Sequence, residues 1–385
     1  MQEMNTFKKI FGEDAQGLFF APGRVNLIGE HTDYNGGNVF PCALTIGTYG
    51  AARRRNDHKI RLYSENFSEL GIIEFTLDEL VYEKNHDWAN YPKGVLKMFL
   101  EAGYSIGHGF EISYNGNIPN GAGLSSSASI EVLTAFILKE FFSLDIEMLD
   151  LVMLCQKTEN QFIGVNSGIM DQFAVAMGKK DKAMLLDTNS MEYRYSSILL
   201  QDASIIVSNT NKQRGLQDSK YNERRAECEE ALRRLQTKLD IKALGELDYE
   251  TFLAHTELIG DPVLIRRARH AVKENLRTLE AVAVLEKNDI EAFGKLMYAS
   301  HESLKDDYEV TGIELDTLVS LASENPGTIG SRMTGAGFGG CTVSVVRNDC
   351  IDDFISKVGE AYLEKIGYAA DFYVVSVGDG VHRIV

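Results

Sequence analysis

The residues best able to do chemistry stand together in Gly23-Arg24-Val25-Asn26-Leu27-Ile28-Gly29-Glu30-His31-Thr32-Asp33-Tyr34, directly after an apolar, strand-like run from Leu18 to Ala21. Glu30, His31 and Asp33 offer acceptors and a possible donor to a polyhydroxylated ligand. Arg24 could face a carboxylate or a phosphate with a planar fork of donors. A packing segment would not need that chemistry. The plainer alternative is a strand-end loop with solvated charges.

Pro119-Asn120-Gly121-Ala122-Gly123-Leu124-Ser125-Ser126-Ser127-Ala128-Ser129-Ile130-Glu131 follows a strand-like run and precedes a long apolar helical one. Free N–H groups and the positive dipole end at a helix start favour an anion, glycines permit close backbone approach, and hydroxyls add ligands, so this loop reads as a phosphate cradle. A helix capped by a single serine would need neither the glycines nor the serine run. No Walker A pattern occurs here. Gly335-Ala336-Gly337-Phe338-Gly339-Gly340 contains G-x-G-x-x-G, but the following Cys341 to Val346 reads as a strand, whereas a dinucleotide fingerprint needs a helix there. These glycines are better suited to letting one backbone pass closely beside a ligand or the Gly-Ser loop, with a plain tight turn as the alternative.

Between Glu159 and Phe173 a polar helix end runs through Gly164 and Gly168 to Asp171, which is flanked by Ile169, Met170 and Phe173. A buried carboxylate stays ionised only with a partner, and Arg24 is the obvious one. Such a pair could deprotonate or orient a hydroxyl nucleophile. Glu159 suits Mg²⁺, which takes one or two carboxylates plus phosphate oxygens. The alternatives are that Asp171 caps a helix beginning at Gln172 and that Glu159 is a solvated helix residue.

Elements must position these groups. Strand-like runs at Leu18–Ala21, Val39–Thr48, Lys59–Ser64, Phe110–Tyr114 and Met184–Asp187 mix with helical runs at Ser129–Phe142 and Met148–Phe162. A strand at Ser204–Val207 opens a second half of long amphipathic helices (Lys220–Leu239, Val263–Glu286, Ile290–Ser300, Ile313–Ser323, Ile351–Lys365), with strands at Cys341–Val346 and Phe372–Val377. The expectation is an α+β chain of two domains, 1–190 and 191–385, joined without a Pro- or Ser-rich linker.

The 385 residues, 44% hydrophobic and 25% charged, have the composition of a soluble chain with a substantial core. Lys plus Arg at 39 against Asp plus Glu at 56 gives −17, which argues against nucleic-acid and anionic-membrane surfaces. The basic cluster Arg53-Arg54-Arg55 reads as a solvated strand edge. Five scattered cysteines form no C-x-x-C pair, and Met1 to Lys9 holds no apolar signal core, so a cytoplasmic location with reduced thiols is expected. No coiled-coil pattern is visible. The oligomeric state stays open, with a monomer favoured.

Gly23 to Tyr34, Gly121 to Ile130 and Gly335 to Cys341 resemble the three ordered motifs of the GHMP small-molecule kinases. The string GRVNLIGEHTDYN is similar to the signature of that family's galactokinase branch, as are Asn209-Thr210-Asn211-Lys212 and Asp218 to Arg225. The resemblance spans about residues 18 to 377 and implies a two-lobed fold with the active site in the cleft between an N-terminal mixed-sheet domain and a C-terminal domain of sheet plus helices. It further implies ATP-dependent phosphorylation of the anomeric hydroxyl of D-galactose, the first step of the Leloir pathway. By resemblance Asp171 is the catalytic carboxylate and Arg24 stabilises the transition state. Glu30, His31, Thr32, Asp33, Gly168 and Tyr221 contact the sugar. Gly121, Ala122, Gly123, Leu124, Ser125, Ser126 and Ser127 wrap the ATP phosphates, Ser64 is a further nucleotide contact, and Ser127 and Glu159 hold Mg²⁺. A kinase for N-acetylgalactosamine or a related sugar, or a sugar- and ATP-binding sensor without catalysis, is the alternative.

Overall fold

The structure, a computed structural model, describes residues 2–118, 123–198, 200, 202–212 and 217–385. Gly17–Asn26 (β1) is buried at every position, as a strand covered on both faces must be. After the short Asn38–Val39 (β2), Pro41–Arg54 (β3) pairs antiparallel with β1, and the register shifts between Pro22 and Arg24. Lys59–Ser64 (β4), Ile73–Thr76 (β5), Phe110–Gly116 (β6) and the C-terminal His382–Arg383 (β13) complete a six-stranded sheet of order β13-β1-β3-β6-β4-β5. Its alternation sorts the core. Phe19, Ala21 and Ala52 face Asn90–Glu101 (α2), Ser126–Phe142 (α3), Met148–Lys157 (α4) and Met170–Met177 (α5), whereas Leu18 and Ala51 face Phe7 and Phe11 of Gln2–Phe11 (α1).

Lys182–Asp187 (β7) and Tyr193–Ser197 (β8) form a small sheet with β2. Ala203–Asn209 (β9) then begins a four-stranded antiparallel sheet with Thr328–Thr334 (β10), Cys341–Arg347 (β11) and Asp371–Val375 (β12), in the order β10-β11-β9-β12. Around it lie Gln217–Leu235 (α6), Tyr249–Ala254 (α7), Thr256–Ile259 (α8), Pro262–Leu285 (α9), Ile290–Asp306 (α10), Gly312–Glu324 (α11) and Ile351–Ile366 (α12). The start of α9 is set by chemistry, with Asp261 accepting from the N–H groups of Val263 and Leu264 and Pro262 opening the helix. Val25, Leu27 and Ile28 of the first motif share a core with Val207, Val343 and Phe293, so the motif is anchored on the second sheet and its helices.

Two expectations are corrected. The helix expected over Met148–Phe162 is α-helical only to Lys157, and Thr158–Ile163 forms a π-helical turn. The Arg53-Arg54-Arg55 cluster is not a solvated edge. Arg53 and Arg61 stand directly across from Glu111 on the flanking strands, and Glu111, 1% exposed, pairs with Arg53 at 3.3 Å, Arg55 at 2.5 Å and Arg61 at 2.6 Å. A carboxylate buried at mid-sheet requires such partners, and the triad pins β3, β4 and β6 together.

Candidate active site

The β1–β3 bulge at Gly23 re-aims the strand so that Arg24 enters a cleft between the sheets. A Cβ on Gly23 would lie 2.9 Å from the Leu124 carbonyl oxygen, and that oxygen accepts from the Arg24 N–H at 3.2 Å. Strand and Gly-Ser loop are thereby stitched together. The Arg24 guanidinium donates to both oxygens of Asp171, from Nε and Nη2 at 2.8 Å each, and from Nη1 to the Gly123 carbonyl at 2.8 Å. Such a bidentate pair fixes the carboxylate plane. Asp171 sits in the first turn of α5, where the helix dipole favours its charge. Its side chain does not cap the helix, so the capping alternative fails.

The cavity at this point has a volume of about 410 Å³. One wall is the first motif. Asp33 accepts from the N–H groups of Tyr34 at 3.0 Å and Met170 at 3.4 Å. Burial and the neighbouring Asp171 charge push its carboxyl up to about 6. Gly168 makes room for it, since a Cβ there would fall 1.8 Å from the Asp33 Oδ2. Glu30 lines the cavity yet is also a strut, accepting from Gly335 N at 2.7 Å, Asn26 Nδ2 at 3.0 Å and Arg332 Nη1 at 3.4 Å. His31 has φ 61° and sits against the Tyr34, Tyr221 and Tyr308 rings. Its Nε2 is 3.1 Å from the Ala336 carbonyl, which can only accept, so Nε2 carries the proton and Nδ1 accepts from the Tyr34 hydroxyl at 2.7 Å. Burial and then His270 hold His31 neutral, its pKa lowered to about 3. The proton direction propagates: Tyr34 accepts from Tyr308 at 2.8 Å, and Tyr308 from the Cys228 thiol at 3.1 Å.

The opposite wall is the start of α3. Ser125, Ser126, Ser127 and Gly123 line the cavity with Glu159, Gly168, Asp171, Tyr221 and Ser64. The π-helical turn carries Glu159 inward to 8% exposure, which removes the solvated-helix alternative. Burial raises its pKa, opposed by hydrogen bonds from Ser127 and Ser167, the latter at 2.7 Å. Ser64 uses its oxygen to cap the following turn at Asn66 N, 3.2 Å away.

Some expected contacts lie elsewhere. Thr32 is fully buried, its hydroxyl turned to the Gly29 and Asn38 carbonyls at 2.8 and 2.7 Å, so its side chain closes the motif's own turn instead of lining the cavity. Leu124 packs its side chain into the shared core and meets the site through its backbone carbonyl. Gly121 and Ala122 lie outside the described residues.

The sequence reading missed an aromatic end of the cavity formed by Phe67, Trp88, Tyr91 and Tyr114. Trp88 is 6% exposed with its Nε1 buried and without a protein partner, and it follows Asp87 at φ 44°. The one signal available was that Trp88 is the chain's single tryptophan. The Gly335–Gly340 turn closes the cavity, and a Cβ on Gly335 would stand 3.0 Å from the Gly123 carbonyl, so the two loops pass at backbone distance.

Comparison with known proteins places the chain in a family. Residues 5–54 match the galactokinase galactose-binding signature, 90–179 the GHMP kinases N terminal domain and 281–364 the GHMP kinases C terminal model. A curated galactokinase of Clostridium beijerinckii is 62% identical over 98% of this chain and 97% of its own. One of Enterococcus faecalis is 60% identical over 99% and 98%. The crystal structure of Lactococcus lactis galactokinase complexed with galactose superposes with a TM-score of 0.96 at 53% identity, covering 98% of both chains. Methanococcus jannaschii mevalonate kinase, 18% identical with a TM-score of 0.66 over 94% of this chain and 98% of its own, shares the fold alone. With galactokinases at 60–62% identity over nearly its whole length, this chain belongs to the galactokinase family of GHMP kinases.

Proposed function

We propose that this galactokinase-family enzyme transfers the γ-phosphoryl group of ATP to the anomeric hydroxyl of D-galactose, yielding galactose 1-phosphate and ADP. The observation that carries this reading is the Arg24–Asp171 clamp, with hydroxyl-binding groups on one side and a phosphate-suited helix start on the other. Phosphoryl transfer asks a protein chiefly to align the hydroxyl with the γ-phosphorus and to neutralise spreading charge. Asp33, Glu30, His31, Gly168 and Tyr221 would hold the sugar, and Arg24 would stabilise the transferring group. Asp171 would orient the hydroxyl and accept its proton. Ser126, Ser127 and the α3 N–H groups would receive the phosphates, with Ser64 beside the nucleotide and its base against Phe67 and Trp88.

The residues present also fit Mg²⁺. Glu159 and Ser127 supply one carboxylate and one hydroxyl, and no cluster of three or more His, Cys, Asp or Glu able to hold a metal exists among the described residues. That is the donor set of an ion that takes its remaining oxygens from phosphates and water. When bound, Mg²⁺ would neutralise phosphate charge.

The domain reading of 1–190 and 191–385 is supported by the two larger sheets, with β13 returning to the first. We favour a monomer. Among the described residues no helix is long and apolar enough to cross a membrane and no disulfide is formed, in keeping with our assignment to the cytoplasm.

The test is ADP release from Mg-ATP with galactose, N-acetylgalactosamine, arabinose and glucose supplied separately. Galactose-dependent turnover is expected. Turnover only with N-acetylgalactosamine would reassign the substrate, and binding without turnover on any sugar would make the chain a sensor.

A further inference from the structure

Ser125 belongs to the serine run that would greet the phosphates, yet it is built differently from its neighbours. It is 6% exposed, whereas Ser126 is exposed and Ser127 half-buried. It stands at the N-cap of α3 but makes no side-chain cap bond, although capping the helix is what a serine there ordinarily does. Its backbone is left-handed, φ 64° and ψ 45°, a conformation disfavoured for a non-glycine residue. Strain of this kind persists only where surrounding contacts over-determine it. Those contacts are present: Arg24 holds the carbonyls of both preceding residues, and the Ser125 carbonyl accepts from Ser129 N at 2.9 Å. The strained backbone delivers the hydroxyl to Asp171, where Oγ donates to Oδ2 at 2.5 Å.

We propose that the Ser125 hydroxyl is a positioning group for Asp171 and that it leaves Oδ1 as the atom that receives the sugar's proton. A carboxylate oxygen offers two lone-pair directions. Oδ2 spends both, on Arg24 Nη2 and Ser125 Oγ, while Oδ1 spends one, on Arg24 Nε. The Asp171 side chain remains 28% exposed, so the unspent direction is reachable. Glu30, Asp33, Asp87 and Glu159 are the other carboxylates of the cavity wall, and an ionised carboxylate offers Asp171 no donor. In the step this serves, the anomeric oxygen forms a bond to the γ-phosphorus as the bond from that phosphorus to the β,γ-bridging oxygen breaks. ADP leaves with that electron pair. The hydroxyl proton passes to Oδ1 and from there to solvent. Ser125 is thus set apart from Ser126 and Ser127: it acts on the carboxylate and not on ATP.

The inference rests on the kinase reading, and the experiment separates the two. Steady-state kinetics with galactose and Mg-ATP are compared for the unmodified chain, Ser125→Gly and Ser126→Ala. Glycine adopts the left-handed conformation without strain, so Ser125→Gly keeps the backbone and removes the CH2OH side chain with its hydroxyl. A thermal midpoint close to that of the unmodified chain checks this. We expect kcat of Ser125→Gly to fall roughly 10- to 100-fold, the scale of a misaligned reacting group, with KM for ATP within about twofold. Ser126→Ala should show the reverse split, a raised KM for ATP with kcat largely kept. A raised KM for ATP in Ser125→Gly with kcat unchanged would make Ser125 a phosphate ligand and overturn the inference, as would unchanged kinetics in a folded variant. Failure of the unmodified chain to turn over any sugar would overturn the kinase reading, and this inference with it.

Discussion

Asp33 carries a charge in a place that resists it. Burial and the Asp171 carboxylate favour its neutral form, so its pKa stands at about 6, instead of near the unperturbed value of about 4. The sign follows directly: the carboxylate is lost as pH falls through about 6, and with it the strong acceptor for a sugar hydroxyl. By the same shift the ionised form opposes folding above that pH. We predict that kcat/KM for galactose, which reports the free enzyme, declines about tenfold per pH unit below this point. A flat profile down to pH ~5 would mean that Asp33 need not be charged to bind the sugar. At this scale the sequence is a good guide to which residue types gather and a poor one to where each points. Arg24 and Asp171 were legible because a carboxylate set among Ile169, Met170 and Phe173 demands a partner. Thr32 and Ser125 were not, since a hydroxyl can turn to backbone, carboxylate or ligand at nearly equal cost. Trp88 was missed because no motif surrounds it.

Among elements, the consequential departures from regularity are local. The bulge at Gly23 aims Arg24, and the π-helical turn at 158–163 buries Glu159. Apolar periodicity predicts where helix α4 runs but not that its last turn winds loosely, because one inserted residue leaves the pattern of buried positions almost unchanged. The hydroxyl chain from Cys228 through Tyr308 and Tyr34 to His31 joins α6 and the end of α10 to the first motif, and His31 passes it on to Ala336 of the glycine turn. No spacing in the sequence announces it, since its members are scattered from His31 to Tyr308. Tyr308→Phe keeps the ring and deletes the hydroxyl, leaving Tyr34 without its donor. We predict a loss of about 1–3 kcal/mol in denaturant unfolding. KM for galactose should rise while KM for ATP is kept, because the chain ends on the sugar loop. Unchanged galactose kinetics would show that the chain serves stability alone.

Across the whole molecule, the first motif is held by ions buried beneath it. Arg332, fully buried, reaches Glu30 and donates from Nε to Ser300 at 3.1 Å. Ser300 donates to Glu274, which also accepts from Gly29 N at 3.1 Å and pairs with Arg277. The network ties the sugar loop to β10, α9 and α10, so cleft shape and core stability are coupled. Arg332→Met removes one partner from buried charges, a change that costs about 3–5 kcal/mol, and should lower the thermal midpoint markedly. A midpoint within a degree or two would show that the network relaxes without it. The sheet-and-helix plan of both halves was legible from periodicity. The return of β13 to the first sheet was not, since so short a strand carries no pattern of its own.

The most direct test is ³¹P NMR of the product made from galactose and Mg-ATP by the unmodified chain and by Asp171→Asn, with ATP binding to both followed by calorimetry. We expect an anomeric phosphate ester from the unmodified chain, none from Asp171→Asn, and similar ATP affinity in the two. Near-normal product from Asp171→Asn would contradict it.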